Sequence, residues 1–217
     1  MALPLFVNSK NKYLAGAVVY ASGYVLYALT NRHPIFAPHL LPMSFIDHTV
    51  PFVPATVLVY ISEYFFFVFV YFGLRDQDNL SRYLYAFFVL QVASALIFLG
   101  FPTIYPRGLY PIPNDLPGWL RGIWVWLRTV DRPTNCFPSL HVSSVFISAL
   151  AFRSGDQKKL SWVFLVWASL IALSTLTTKQ HYVADILSGA ALALIFHYWF
   201  QLKQSYRALP HAELATG

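Results

Sequence analysis

The amino-acid sequence predicts an all-α fold, an integral membrane bundle of six transmembrane helices with an interfacial helix before the fourth span. Of its 217 residues, 57% are hydrophobic and only 11% are charged, and the mean hydropathy is +0.53. A soluble globular domain carries about 25% charged residues, so this chain has too little polar surface to cover an ordinary core. The single cysteine, Cys136, excludes an intramolecular disulfide. We expect one membrane-embedded domain over residues 1–217.

Six apolar segments approach the length of about 20 residues that a helix needs to cross a bilayer. They are residues 13–30, 53–73, 80–101, 137–152, 160–178 and 182–202. The fourth segment is the shortest of the six. The first follows Lys10 and Lys12, as a signal peptide would, but it is long for a signal and lacks a clear cleavage site. We therefore expect the first segment to be retained as a span.

Lysine and arginine are distributed unequally between the two faces that six spans define. The short connections and tails of one face carry Lys10, Lys12, Arg75, Arg82, Arg153, Lys158, Lys159, Lys203 and Arg207. The positive-inside rule is most reliable for such short segments, so both termini are predicted to be cytoplasmic. A plasma membrane with the opposite face outward is the expected location, and a eukaryotic lumen satisfies the same topology. The net charge of +6 is thus explained without a nucleic-acid partner.

The connection before the fourth span, residues 102–135, is long and concentrates positive charge on the outer face. It holds Arg107, Arg121, Arg128 and Arg132, which together indicate an anionic ligand. Its first half is rich in proline, and residues 118–130 interleave tryptophan and leucine with arginine, a pattern typical of a helix lying in the membrane interface. Snorkelling in an aromatic belt explains Arg121 equally well.

Two polar clusters mark the outer mouths of the fourth and sixth spans. Arg132-Pro133 and Pro138-Ser139-Leu140-His141 precede the fourth span, and His181 with Asp185 opens the sixth. Ionisable residues in a membrane protein indicate a functional site by default. Because both mouths open on the same predicted face, we expect these two clusters to form one site.

The residue types in these clusters suit phosphoryl chemistry. Asp185 follows His181 by four residues, so the two share a helix face, and the carboxylate can fix the imidazole tautomer and leave a ring nitrogen as nucleophile. His141 could then protonate a leaving oxygen, while Arg132 and Lys179 supply positive charge for a phosphate. His141, His181 and Asp185 could also ligate a metal. Neighbouring cations would repel a metal ion, so we expect no metal and no other cofactor.

These motifs resemble those of the type 2 phosphatidic acid phosphatase superfamily, whose pattern is Lys-x6-Arg-Pro, Pro-Ser-x-His and Ser-Arg-x5-His-x3-Asp. The matched residues run from Arg132 to Asp185 and include Ser174, within a motif core of residues 128–185. The resemblance implies a metal-independent membrane enzyme that acts on lipid phosphoesters. It also implies that His181 forms a phosphohistidine oriented by Asp185, that His141 handles the leaving-group proton, and that Ser139 and Arg132 bind phosphate oxygens.

Two departures from this pattern affect the expected substrate. Val125 stands where the phosphatases have lysine and Thr175 where they have arginine. Arg128 and Lys179 are near enough in sequence to replace these cations. The same departures make the chain resemble the inositol phosphorylceramide synthase branch, so the acceptor of the phosphoryl group, water or a lipid alcohol, stays open.

Other interpretations also stay open at this point. A lipid-phosphate binding or transport protein would use the outer cations without needing an oriented histidine, and a structural subunit would need neither. Glu63, inside the second span, is explained equally well by a function and by a hydrogen bond from a neighbouring tyrosine. Tyr182 is equally suited to line the lipid headgroup or to anchor the chain at the interface.

Overall fold

The computed structural model describes residues 2–154 and 157–208 and is mostly helical. Residues 209–217 of the predicted domain lie outside the described part. The α-helices of the described part are α1 (Lys12–Arg32), α2 (Phe45–Thr49), α3 (Val57–Ile61), α4 (Glu63–Gly73), α5 (Gln77–Gly100), α6 (Gly118–Val130), α7 (Leu140–Ala151), α8 (Lys158–Thr177) and α9 (Val183–His197). A π-helical turn, Tyr198–Lys203, extends α9.

Five helical segments of the described residues are long and apolar enough to cross a membrane. They are Lys12–Arg32, Pro54–Gly73, Gln77–Gly100, Lys158–Thr177 and Val183–Lys203. These segments overlap predicted spans one, two, three, five and six. The chain therefore has the helices of a multi-pass membrane protein, as the composition predicts.

The predicted fourth span is the exception. It corresponds to α7, whose 12 residues extend about 18 Å at 1.5 Å per residue, short of the ~30 Å hydrocarbon core. Most of α7 is buried, and it packs against α4, α5, α8 and α9. This helix is the centre of the bundle and presents little surface to lipid. The count of six spans accordingly remains a prediction.

Short strands join separate connections at the two ends of α1. At one end, β1 (Leu3–Leu5) pairs in parallel with β4 (Tyr206–Ala208). At the other end, β2 (His39–Leu40) pairs in parallel with β3 (Thr103–Ile104). The two terminal segments therefore lie at one end of the bundle, and the two proline-rich connections meet at the other.

The helix of the second span is interrupted at Ser62, between α3 and α4. The Ser62 hydroxyl donates to the carbonyl of Val59 at 2.6 Å and accepts the indole N–H of Trp167 at 2.9 Å. A serine that bonds back to the preceding turn is a recognised cause of helix bending. The interruption lies between Tyr60 and Glu63, both of which are buried.

The helix predicted over residues 118–130 is present as α6. Its buried residues, Leu120, Trp124 and Leu127, pack with Val57 and Tyr60 of α3. The indole N–H of Trp124 also donates to the carbonyl of Pro54 at 3.0 Å. These contacts attach α6 to the beginning of the second span, and its place in a membrane interface stays a prediction.

Candidate active site

The two helices that carry the sequence motifs begin side by side. The backbone N–H of Ser139, before α7, donates to the carbonyl of Asp185, in α9, at 3.0 Å. A Cβ atom at Gly189 would stand 2.5 Å from the carbonyl oxygen of Ser139, so only glycine allows this close approach. The positive ends of both helix dipoles consequently point into the region where the motifs meet.

His181 is held by acceptors on one side of its ring. Its Nδ1 lies 3.1 Å from Oδ2 of Asp185 and 3.1 Å from the carbonyl oxygen of Cys136. Two acceptors at one ring nitrogen require that this nitrogen carry the proton, which leaves Nε2 of the neutral ring as an unprotonated base. Oδ2 of Asp185 also accepts the backbone N–H of Tyr182 at 2.9 Å. Both side chains are buried, so this orientation is well fixed.

His141 forms a second carboxylate–histidine pair. Its Nε2 lies 3.1 Å from Oε1 of Glu63 and 2.7 Å from the hydroxyl of Tyr60. The sequence leaves Glu63 between a functional role and a bond from a neighbouring tyrosine. The structure gives its carboxylate the imidazole of His141, on a helix far away in sequence, as partner.

The two imidazoles face one another across the site, with ring centroids 5.6 Å apart. Each imidazole has its own carboxylate partner, Asp185 at His181 and Glu63 at His141. The two histidines therefore lie in one cluster.

Cys136 lies against the nucleophile pair. The donor atoms of Cys136, His181 and Asp185 are all within 4.8 Å of one another. Burial raises the pKa of the Cys136 thiol well above its ordinary value, so the sulfur is held as a neutral thiol, a poor metal ligand. Nδ1 of His181 is, in addition, engaged with Asp185. This donor set suits orientation of the histidine better than coordination of a metal ion.

Ser139 and Arg132, expected to bind phosphate oxygens, differ in their placement. Ser139 is buried beside the two histidine-bearing helices, and its Oγ accepts the backbone N–H of Val142 at 3.3 Å as the N-cap of α7. Arg132 is exposed, and its Nη1 donates only weakly, at 3.4 Å, to the carbonyl of Arg32. The structure thus brings Ser139 into the cluster and leaves the Arg132 guanidinium at its surface.

The two cations expected to replace the missing family residues are engaged with backbone carbonyls. Lys179, at a left-handed φ of 55°, donates from Nζ to the carbonyls of Asp47 at 2.8 Å and Val50 at 2.5 Å. Burial lowers the pKa of this lysine, and Asp47 opposes that effect. Arg128 donates from Nη2 to the carbonyl of Tyr110 at 2.5 Å, while its buried Nε has no hydrogen-bond partner. A phosphate role for either residue remains a prediction. Through these two hydrogen bonds Lys179 attaches the α2 segment to the connection between α8 and α9.

A buried ion pair beside His141 was not singled out from the sequence. Arg107 donates from Nη2 to Oδ2 of Asp131 at 2.9 Å and from Nη1 to the Asp131 carbonyl at 2.5 Å, and the hydroxyl of Tyr27 donates to Oδ1. Burial alone would raise the pKa of Asp131, but the Arg107 guanidinium, with a smaller effect from His141, holds it below its ordinary value. Nε of Arg107 is buried and without a hydrogen-bond partner. Arg107 is therefore a more deeply placed cation than Arg132, and only its position among the outer arginines could have indicated it.

Tyr182 is fully buried beside the nucleophile. Its hydroxyl donates to the carbonyl of Ile104 at 2.9 Å, and its ring lies 4.6 Å from that of Tyr105, centroid to centroid. These contacts connect the beginning of α9 to the β3 segment. The side chain therefore belongs to the packing that supports the site.

Comparison with known proteins assigns the family. A family model described as the PAP2 superfamily matches residues 25–199. An uncharacterized protein of Methanocaldococcus jannaschii, MJ0662, is 34% identical over 74 residues, which cover 34% of this chain and 29% of that protein. The match thus spans less than a third of that relative. No solved structure matches significantly. The family match covers most of the chain, includes every motif residue of the two-histidine site, and shows that this protein belongs to the type 2 phosphatidic acid phosphatase superfamily.

Proposed function

We propose that this protein is a membrane enzyme that transfers a phosphoryl or substituted phosphoryl group from a lipid phosphoester through a phosphohistidine at His181. Members of its superfamily are phosphoesterases. The observation that carries the proposal is the geometry of His181, whose Nδ1 is committed to Asp185 and the Cys136 carbonyl. A protein that only bound lipid phosphate would have no use for a histidine oriented in this way.

In the first step, Nε2 of His181 attacks phosphorus. A nitrogen–phosphorus bond forms and the phosphorus–oxygen bond to the lipid breaks. His141, in its protonated form, gives a proton to the departing oxygen, which becomes a lipid hydroxyl. Glu63, 3.1 Å from Nε2 of His141, stabilises the imidazolium before the transfer. Asp185 stabilises the positive charge that develops on His181.

In the second step, His141 acts as the base. It removes the proton of an incoming hydroxyl, whose oxygen attacks phosphorus while the nitrogen–phosphorus bond breaks and His181 is restored. The proton taken up replaces the one given in the first step, so neither metal nor redox cofactor is required. Arg107 and Arg128, each with a buried and unpartnered Nε, are the cations we assign to phosphate oxygens alongside Ser139.

Two acceptors satisfy this scheme. Water would make the protein a lipid phosphate phosphatase, and a lipid alcohol would make it a headgroup phosphotransferase like the inositol phosphorylceramide synthases. Val125 is half exposed on α6, and the hydroxyl of Thr175 is occupied by the carbonyl of Ala172 at 2.7 Å. Neither position provides the phosphate-binding cation of the phosphatases, and this favours the transferase as the second candidate.

The test uses purified protein in detergent with phosphatidic acid or an isoprenoid pyrophosphate, in the presence of a chelator. We expect release of inorganic phosphate by the wild type and none by His181→Ala. His33→Ala is the matched control, because His33 is exposed at the end of α1 and makes only a backbone contact. Without release, a labelled phospholipid donor with a lipid alcohol tests transfer. Binding without either reaction, unchanged in His181→Ala, would establish the lipid-phosphate binder instead.

A further inference from the structure

We propose that a groove between α1 and α4, open to the bilayer, holds the hydrocarbon chain of the lipid alcohol, with its reacting oxygen at His141. The inference rests on the proposed function, since it names where the departing and incoming lipid alcohols lie. It concerns a region that the sequence motifs reach only at Leu140 and His141, and none of the other predicted site residues borders it.

The inner part of the groove is a cavity of about 280 Å³ with a polar floor. Glu63 and His141, called the floor here, line it together with Gln91, Ser144 and the ion-paired Asp131. Nε2 of Gln91 donates to Oγ of Ser144 at 3.1 Å. The remaining lining is largely aromatic and aliphatic. His181 does not border the cavity, so a molecule in it would approach the site from the side of the proton-transferring histidine.

The outer part of the groove is a second cavity of about 370 Å³, and it is almost entirely apolar. The two cavities share Tyr20, Tyr64 and Phe67 as lining residues. Together they follow α1 from Tyr27 to Tyr13, a length of about 21 Å at 1.5 Å per residue. The groove therefore extends from the acid–base pair along most of a span, which suits an extended hydrocarbon chain.

Small residues on α1 line this space, and two of them admit neighbouring side chains, the Tyr71 ring at Gly16 and the Gln91 side chain at Gly23. Gly16, Ala17, Gly23 and Ala28 all line the groove, whereas α1 and α4 meet through rings such as Tyr20 and Phe67, whose centroids are 5.9 Å apart. Larger side chains on α1 would close the gap between the helices. An apolar space within a membrane is filled most favourably by hydrocarbon, because water would find almost no hydrogen-bond partners there.

The floor identifies which part of the lipid is held. In both half-reactions the lipid oxygen lies opposite His181 and exchanges its proton with His141. The alcohol that leaves and the alcohol that arrives thus require the same apolar approach to His141. The phosphate is bonded to that oxygen and so lies next to it, within reach of Nε2 of His181.

The experiment compares Ala17→Phe with Ala191→Phe. Ala17 lines only the outer cavity, distant from the floor, and Ala191 is exposed on α9 and borders neither cavity. Wild type and variants in proteoliposomes receive octyl phosphate and hexadecyl phosphate, and release of inorganic phosphate is measured for each. Separately, they are irradiated with a hexadecanol that carries a diazirine at its chain end, and the labelled residues are mapped.

We expect Ala17→Phe to lower turnover of the hexadecyl ester relative to the octyl ester by about tenfold or more, since a few methylene groups lose their burial. Ala191→Phe should keep the wild-type ratio. The diazirine should label α1 and α4 near Tyr13 in the wild type and in Ala191→Phe, but not in Ala17→Phe.

Each other outcome has a definite meaning. An unchanged ratio in Ala17→Phe, or labelling spread over lipid-facing helices and unaffected by that substitution, overturns the groove. Because labelling needs no turnover, localised labelling without hydrolysis of either ester would support the groove and contradict the hydrolysis. An equal loss on both esters with unchanged labelling would show damage to the fold and overturn the proposed length dependence.

Discussion

The two buried histidines are each paired with a carboxylate, but the two pairs are constructed differently. Asp185 lies four residues after His181, and the carbonyl of Cys136 adds a second acceptor at the same nitrogen. His141 receives Glu63 from a helix 78 positions away in sequence, and the hydroxyl of Tyr60 shares the same ring nitrogen. The first arrangement fixes one tautomer. The second places an ionisable carboxylate and a phenol around a ring that can change its protonation state.

This difference separates the two chemical roles. A nucleophile must keep one nitrogen unprotonated and aimed at phosphorus throughout, which two acceptors at the opposite nitrogen ensure. A proton carrier must gain and lose a proton in each cycle, which a neighbouring carboxylate facilitates. Substitution of the carboxylate in each pair should therefore produce a different kind of catalytic defect.

Asp185→Asn should produce the largest defect among the pairing residues. The amide can donate to Nδ1 and stabilise the wrong tautomer, so we expect turnover to fall on the order of 10⁴-fold, as such a change does in a serine protease triad. Single-turnover rates with phosphatidic acid, beside lipid binding measured separately, check this. Unchanged turnover would remove Asp185 from the mechanism.

Glu63→Gln should lower turnover by about 10²–10³-fold, within the range of acid–base catalysis, and the defect should depend on the leaving group. A nitrophenyl ester departs without protonation, so its cleavage should be nearly normal in this variant. The same ester should not rescue Asp185→Asn. If the nitrophenyl ester restores turnover in both variants, or in neither, the assignment of different roles to the two pairs is contradicted. Tyr60→Phe is the milder companion, because it keeps the carboxylate.

Gly189→Ala should reduce activity by about 10²-fold with both classes of ester. The added methyl group would meet the Ser139 carbonyl at 2.5 Å, and a shift near 1 Å in the reacting groups has an effect of that size. Gly122→Ala is the control, since a Cβ there meets nothing within 4 Å. Wild-type rates in Gly189→Ala would show that the two helices can separate without disturbing the site.

Arg107→Met should destabilise the fold by about 3–5 kcal/mol, because it leaves the buried Asp131 carboxylate without its cation. The double variant with Asp131→Asn should recover part of that loss, a coupling that thermal unfolding in detergent would detect.

The pKa of Asp131 in the folded protein is below its ordinary value of 3.8. The ion pair therefore contributes fully above that value, and its contribution disappears as the pH falls through the lowered pKa. A loss of this contribution near neutral pH would contradict the assignment.

The parts of this site that the sequence predicts are those with local spacing. The spacing of His181 and Asp185 correctly predicts their contact, but not its form: the expectation that both lie on one helix face is wrong for His181, which precedes the N-cap of α9, while Asp185 lies in its first turn. The apolar runs predict five of the helices that the structure contains. Glu63 could be recognised as an unusual residue within a span, but its partner depends on the packing of α4 against α7. The burial of Arg107 and Lys179 could not be predicted from the sequence either. Loop geometry determines which of several similar cations is buried, and sequence spacing carries no information about it.

Gly189 also has a consequence for recognising distant relatives. His181, Asp185 and Gly189 follow one another at intervals of four residues. His181 precedes the N-cap of α9, and the orienting acid and the point of closest helix approach lie on one face of that helix. A search pattern for chains of this kind would accordingly extend the histidine–aspartate motif by one further interval to a position without a side chain. Chains that carry both motifs but a bulky residue there would have to hold their two histidines in a different way.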